Sequence, residues 1–405
     1  MVEPTPYARR AFLGRAGVAT VGGTVVTAAA PGPARAEAAH PAAAPWKSAR
    51  PRDLPDRARL GFIKGMTQQD EKPFIGLALG DSITEGTGLA NWTERYQYLL
   101  QGMLRRRHPG ANPAPGVGYI PAGWATGGYL PEVTTSHNAA LYTDAGGLGN
   151  RMRIVAADGS ITWPTTACDT VWVHYTQDTF FPGTFEVVVD GQVVATQQTT
   201  GPKTSGKIVK LSVEDGEHTV TVRGKAGTAG GSPIEGVSFL HGTGGLYLFD
   251  GSHAGYRADL YINREQADLH WQAAAAIEPS FITCMLGAND MAGNFDIPIP
   301  PEEWAANLAT LVETALASCP NAGFYFFHWT ERYEDHGNPD KVHQFEEAAW
   351  QAIGSHPRVS FRVLTDLLPS GHDDSLRWHA FDGNDRVHPN ALGHTYLAHQ
   401  LARTI

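Results

Sequence analysis

Short hydrophobic runs that alternate with helix-like stretches constrain the fold of this sequence more than any other feature. The runs FIGLALG, GLYLF, FITCMLG, GFYFFHW and VSFRVL occupy residues 74–80, 245–249, 281–287, 323–329 and 359–364. A run without polar alternation is typical of a strand buried on both faces, and strands that alternate with helices build a parallel sheet. The pattern therefore predicts an α/β fold with a doubly wound parallel sheet.

Residues 150–243 have a different pattern. Hydrophobic and polar residues alternate there around the turn signals Asp190-Gly191 and Asp215-Gly216. This is typical of antiparallel strands joined as hairpins, and their number predicts a jelly-roll-like β-sandwich. Because the α/β pattern resumes afterwards, we expect the sandwich to be inserted into an α/β domain made of residues 73–149 and 244–405. Residues 37–72 are predicted to be a linker or an N-terminal extension.

The first 36 residues resemble an export signal. Arg9 and Arg10 precede a glycine-rich, weakly hydrophobic run that ends at Ala34-Arg35-Ala36. This order is typical of a twin-arginine signal cleaved after Ala36. The run is short and no stop-transfer pattern follows it, so we expect a secreted protein without a stable membrane anchor.

Charge and composition exclude several classes of partner. The formal net charge is −10 and no basic stripe is present, which argues against nucleic-acid binding. The three cysteines are far apart without a CxxC motif, and no HExxH or EF-hand pattern occurs. We therefore expect neither a metal site nor a cofactor, and we expect a monomer.

Ser82 ends the first hydrophobic run, within the sequence LALGDSITEG. Reactive groups in an open parallel sheet gather beyond the carboxyl ends of the strands, so this position favours a nucleophile. A serine that caps the following helix is the alternative interpretation.

Near the end of the chain, FDGNDRVHPN places Asp385 three residues before His388. A serine hydroxyl needs an imidazole to accept its proton, and the imidazole needs a carboxylate to orient it. Asp385 and His388 have the residue types and the spacing for these roles. A solvated histidine in a helix-entry loop is the alternative.

Asn289 follows the third hydrophobic run, in MLGANDMAG. The carboxyl ends of parallel strands share one edge of the sheet, so we expect its amide to lie beside Ser82, where it could donate to an oxyanion. An Asx turn that begins the next loop is the alternative.

The segments GDSIT, GAND and DRVHP, in that order, resemble three sequence blocks of the GDSL, or SGNH, hydrolase family. The segment LFDGSHAGYRA resembles a further block, with Gly255 at the position of the family glycine. The resemblance implies a flavodoxin-like fold and a serine hydrolase mechanism. It implies Ser82 as nucleophile, His388 and Asp385 as the other triad members, and an oxyanion hole formed by Ser82, Gly255 and Asn289.

The chain departs from the family pattern in two ways. Asp250 replaces the usual asparagine, and the predicted sandwich separates Ser82 from Gly255 by much more than in compact members. Gly251 is therefore a rival to Gly255 as the oxyanion donor.

These observations predict a secreted serine ester hydrolase that acts through an acyl-enzyme, with an acylated polysaccharide or similar glycan as substrate. A lipase or phospholipase acting on long acyl chains is one alternative. A carbohydrate-binding surface protein with a vestigial hydrolase site is another. Trp92 and Trp329 are candidate pocket residues, although simple packing is the commoner role of aromatic residues at such places.

Overall fold

The computed structural model describes residues 58–112, 114–123, 133–136, 138–143, 145–228, 230–292, 299–329, 339–364 and 387–405. The five predicted hydrophobic runs all form strands of one parallel sheet. These strands are β1 (Pro73–Gly80), β13 (Gly245–Asp250), β14 (Phe281–Gly287), β15 (Gly323–Trp329) and β16 (Val359–Val363). Their spatial order is β13-β1-β14-β15-β16, which is the 2-1-3-4-5 order of flavodoxin-like sheets. The prediction of the fold class is confirmed.

Helices cover both faces of this sheet. The helices of the described residues are α1 (Ala58–Thr67), α2 (Ser82–Glu85), α3 (Tyr96–Arg107), α4 (Leu260–Asn263), α5 (Ala267–Ala276), α6 (Ala288–Ala292), α7 (Pro301–Ser318), α8 (Pro339–Ile353) and α9 (Ala391–Thr404). Residues of α5, α7 and α8 pack on one face, against β1 side chains such as Leu77. Residues of α1, α3 and α9 pack on the other face, against Phe74 and Ala78. The double burial explains why the strands lack polar alternation.

The antiparallel strands form two sheets that enclose a core of their own. The strands are β2 (Gly118–Pro121), β3 (Thr134–Thr135), β4 (Ala139–Thr143), β5 (Arg151–Ala156), β6 (Ser160–Thr162), β7 (Thr166–Gln177), β8 (Thr184–Val189), β9 (Gln192–Gln198), β10 (Thr204–His218), β11 (Val220–Gly224) and β12 (Gly231–Leu240). One sheet has the order β10-β7-β12-β5-β4, with β2 also paired to β12, and the other has the order β3-β6-β11-β8-β9. The chain returns to the parallel sheet at β13, so the sandwich is an insertion.

The structure corrects the predicted start of the insertion. The sequence pattern predicts a start at residue 150, but β2, β3 and β4 precede that residue and pair with sandwich strands. The antiparallel sheets therefore begin at Gly118. Part of the predicted linker at 37–72 is the helix α1, which packs on the parallel sheet, while residues 1–57 lie outside the described part of the chain.

No helix among the described residues has both the length and the hydropathy that crossing a bilayer requires.

Candidate active site

Ser82 lies at the carboxyl edge of the parallel sheet, where β1 ends and α2 begins. Asp81 is the N-cap of α2, and its side chain accepts a hydrogen bond from the Ile83 N–H at 2.9 Å. Capping by Asp81 leaves the Ser82 hydroxyl free of that role, so the alternative of a helix-capping serine is wrong. Gly80 is needed at this turn because a Cβ there would lie 2.0 Å from Thr84 Oγ1.

The structure brings His388 to Ser82 from the far end of the sequence. His388 Nε2 lies 2.9 Å from Ser82 Oγ, within hydrogen-bond distance. His388 is half-buried and stands two residues before Asn390, the N-cap of α9, whose side chain accepts the Gly393 N–H at 3.0 Å. This arrangement suits proton transfer from hydroxyl to imidazole. Asp385 lies outside the described residues.

Asn289 lies next to Ser82, as its position after β14 predicts. Its side chain is buried, and Nδ2 donates to the Tyr256 carbonyl oxygen at 3.0 Å and lies 3.5 Å from Asp81 Oδ2. The second contact is long for a hydrogen bond. The amide group is thus held between the turn that carries Ser82 and the loop that follows β13.

The two rival glycines differ in what their N–H groups do. Gly251 N–H donates to the Ala78 carbonyl oxygen at 2.8 Å, so it extends the pairing of β13 with β1. Gly255 is half-buried with φ = 83°, and its N–H donates to no acceptor among the described residues. Between the two, Gly255 is the glycine with an N–H available to a ligand.

Four charged side chains, Glu85, Arg95, Arg151 and Asp250, form a buried cluster beside this site, and we call it the charge cluster. Arg151 Nη1 lies 3.1 Å from Glu85 Oε1, and its Nη2 lies 2.9 Å from Asp250 Oδ2. Arg95 Nη1 lies 2.7 Å from the same Asp250 oxygen. Burial acts to raise the pKa of Asp250, but the two guanidinium groups outweigh it and lower that pKa to about 2.

Sequence reasoning did not identify the charge cluster. The one feature of the sequence that could have indicated the cluster is Asp250, which stands at a position where the family has an uncharged asparagine. A carboxylate at the end of a buried strand requires a cationic partner, and the structure supplies two.

The assignment of Trp92 and Trp329 to a substrate pocket stays a prediction. Trp92 is half-buried, packs against the sandwich core and contacts the Tyr98 ring edge-on, with ring centroids 5.0 Å apart. Trp329 ends β15, and its side chain lies outside the described part. Within the described ranges, no group of three or more His, Cys, Asp or Glu side chains is arranged to hold a metal ion.

Comparisons with known proteins show what this chain is similar to in sequence and fold. Residues 238–396 match the profile of the GDSL-like lipase/acylhydrolase family. Among solved structures, a peptidoglycan O-acetylesterase aligns with a TM-score of 0.63 at 16% identity, over 85% of this chain and 94% of that one. A family two carbohydrate esterase from Cellvibrio japonicus aligns with a TM-score of 0.30 at 14% identity, over 70% of this chain and 96% of that one. No curated protein sequence matches the chain. The match over residues 238–396 and the shared α/β fold make this chain similar to the GDSL-like, or SGNH, acylhydrolase family.

Proposed function

We propose that this protein removes acyl groups from an acylated glycan, with Ser82 as the nucleophile. The observation that carries the proposal is the 2.9 Å contact between Ser82 Oγ and His388 Nε2 at the carboxyl edge of the parallel sheet. A positioned imidazole is what converts a weakly nucleophilic hydroxyl into a catalytic one.

In the proposed mechanism, Ser82 attacks the ester carbonyl while His388 accepts its proton. The tetrahedral oxyanion receives hydrogen bonds from the N–H groups of Ser82 and Gly255 and from the amide of Asn289. His388 then protonates the leaving alcohol, and water releases the acid from the acyl-enzyme. Asp385 is proposed as the carboxylate that orients the imidazole.

A short acyl group on a sugar is the proposed substrate. The support is the shared fold with a peptidoglycan O-acetylesterase, together with the inserted sandwich, whose Arg151 contacts Glu85 and Asp250 beside the site. The twin-arginine pattern at Arg9 and Arg10 supports the further proposal that the enzyme is exported from the cytoplasm. Glycans of cell walls and of plant material are found outside the cytoplasm.

The first experiment compares hydrolysis of 4-nitrophenyl acetate by the native protein, Ser82→Ala and the control Ser318→Ala, which changes a serine at the end of α7. We expect Ser82→Ala to lower kcat by about 10⁴-fold or more. The control should retain full activity. Hydrolysis by Ser82→Ala at the native rate would refute the mechanism. Failure of a fluorophosphonate probe to label Ser82 would favour a binding protein with a vestigial site.

The second experiment addresses the acyl group and the alcohol. We expect turnover of 4-nitrophenyl esters to decline from acetyl to palmitoyl, and acetate to be released from O-acetylated xylan or O-acetylated peptidoglycan. Fastest turnover of the palmitoyl ester would contradict the glycan proposal and indicate a lipase. Acetate release from one polymer and not the other would identify the glycan.

A further inference from the structure

The inserted sandwich reaches the catalytic edge through one side chain. Arg151 is the first residue of β5, and it is fully buried between the two domains. Its guanidinium lies 3.1 Å from an oxygen of Glu85, which ends the helical turn that begins at Ser82. It also lies 2.9 Å from an oxygen of Asp250, the last residue of β13. One arginine of the insertion is therefore paired with both elements that flank the site.

The remaining oxygens of these two carboxylates hold the loop that follows β13. Glu85 Oε2 accepts the N–H of Ala254 at 2.5 Å, and Asp250 Oδ1 accepts the N–H of Ser252 at 2.9 Å. Gly255 comes directly after Ala254. Each carboxylate thus uses one oxygen to bind Arg151 and the other to hold the backbone of the loop.

A second contact of the insertion reaches the same loop. His253 lies between the two residues that the carboxylates hold, and its Nδ1–H donates to the Gly149 carbonyl oxygen at 2.5 Å. Gly149 has φ = 70°, and a Cβ there would lie 2.4 Å from the Ser252 carbonyl oxygen, so the backbones approach closely. The segment 149–151 of the sandwich is in direct contact with the loop.

We propose that Arg151 is a positioning residue of the hydrolase site: by holding Glu85 and Asp250 it fixes the loop that presents the Gly255 N–H, so the inserted sandwich completes the oxyanion hole. The inference rests on the proposed function. Without Arg151, Asp250 would keep its contact with Arg95, whereas Glu85 would lose the guanidinium that lies against its Oε1. A buried carboxylate whose cation is removed is driven to move towards water or to take up a proton, and movement of Glu85 would shift the Ala254 N–H that it accepts. Misplacement of an oxyanion donor lowers kcat and has little effect on substrate binding.

The test compares Arg151→Met with Arg153→Met. Arg153 lies two residues along the same strand, where it donates to the carbonyl oxygens of Ala122 and Ala139 and not to the charge cluster. With 4-nitrophenyl acetate we expect Arg151→Met to lower kcat by about 10²-fold with KM within about twofold of the native value. Arg153→Met should keep both constants within about twofold of native. Arg151→Lys, which retains the charge, should recover part of the lost kcat.

Circular dichroism and thermal unfolding establish that each variant is folded at the assay temperature. If Arg151→Met does not fold, Glu85→Ala carries the test, because it removes the acceptor of the Ala254 N–H and leaves Arg151 paired with Asp250. We expect a loss of kcat of about tenfold or more, again with KM unchanged. Native kcat in a folded Arg151→Met or Glu85→Ala protein, with an active native enzyme, would overturn the inference and leave the proposed function standing. A native protein that hydrolyses no ester would overturn both.

Discussion

At the scale of single residues, Asn289 offers the most direct measure of oxyanion stabilisation. Its amide is buried beside Ser82 and is oriented by the Tyr256 carbonyl oxygen. We expect Asn289→Ala to lower kcat on 4-nitrophenyl acetate by about 10²- to 10³-fold, or about 2.7–4 kcal/mol of transition-state stabilisation. The exposed Asn263 at the end of α4 provides the control, since Asn263→Ala should retain native kcat. Equal kcat in the two variants would exclude Asn289 from the oxyanion hole.

The neighbouring Asp290 affects stability through its protonation. It is fully buried, its Oδ1 accepts the Ala258 N–H at 3.0 Å, and burial raises its pKa to about 8. The native state therefore binds this proton more tightly than the unfolded chain, where the pKa is about 3.9. As pH rises from about 4 to about 8, this group lowers the free energy of unfolding by about 1.4 kcal/mol per pH unit.

Asp290→Asn retains the carbonyl oxygen that accepts the Ala258 N–H and removes the titration. We expect the Tm of this variant, relative to the native Tm, to increase progressively between pH 5 and pH 8. Thermal unfolding monitored by circular dichroism at several pH values measures the difference. A Tm difference that is constant over this range would show that Asp290 does not titrate there.

Several residues of the candidate site could be predicted from the sequence, and there is a physical reason why the others could not. Ser82 and Asn289 each follow a predicted strand, so the sheet topology places them at one edge. His388 lies in a short motif that precedes the last helix, and its contact with Ser82 comes from the structure. The pairing of Arg151 with Glu85 depends on how the sandwich packs against the α/β domain, and no local pattern of residues encodes that packing.

At the scale of elements, prediction succeeded where hydrophobic runs were long and failed where strands were short. The five parallel strands are continuous hydrophobic runs and were all predicted. In contrast, β2 has four residues and ends in proline, and β3 has two exposed residues. Segments so short carry no periodicity, and their pairing with distant strands determines that they are strands. This is why the insertion was predicted to begin too late.

Glycines in helices α1 and α3 allow the effect of tight packing on stability to be separated from the effect of helix propensity. Alanine favours a helix interior over glycine by about 1 kcal/mol. At Gly102 of α3 a Cβ would meet only Arg106 Nη1, at 3.5 Å, so Gly102→Ala should stabilise the protein by up to about 1 kcal/mol. At Gly61 of α1 a Cβ would lie 2.3 Å from the Ser280 carbonyl oxygen, so Gly61→Ala should destabilise it by about 1–3 kcal/mol.

Urea unfolding of both variants measures these changes. The opposite signs distinguish tight packing of α1 on the sheet from a general response of helices to alanine. Stabilisation by Gly61→Ala would show that α1 does not pack as closely as described.

At the scale of the whole molecule, the sandwich and the α/β domain share buried polar contacts. Besides the charge cluster, Ser205 of β10 donates its N–H to Gln272 Oε1 of α5 at 3.2 Å. Gly206, with φ = 74°, lies so close to α5 that a Cβ would be 2.7 Å from Ala276 Cβ. Separating the two domains would expose apolar surface to water and would take Arg151 away from Glu85 and Asp250, and both changes oppose separation. The insertion is part of the folded unit that contains the site.

Buried neutral histidines make this folded unit sensitive to acid. Burial lowers the pKa to about 3 for four histidines, namely His174, His270, His328 and His394. In the unfolded chain their pKa is about 6.5, so below that pH the unfolded state binds more protons and stability declines as pH falls towards 3. Asp290 acts in the opposite direction over this range and offsets one proton. Near pH 5 these five groups should lower the free energy of unfolding by up to about 4 kcal/mol for each pH unit of acidification.

A substitution at His328 can remove one of these titrating groups and keep an aromatic ring in the core. Its ring stacks on Phe361 at 6.3 Å between centroids, and neither of its nitrogens has a hydrogen-bond partner among the described residues. His328→Phe keeps an aromatic ring there and removes the titrating group. We therefore expect the free energy of unfolding in urea to decline less steeply from pH 7 to pH 5 than in the native protein, by the amount that corresponds to about one proton. At pH 5 the variant should be more stable than the native protein, because it no longer has a histidine whose protonation favours unfolding. A native slope in this variant would mean that His328 is already protonated or accessible to water in the folded state.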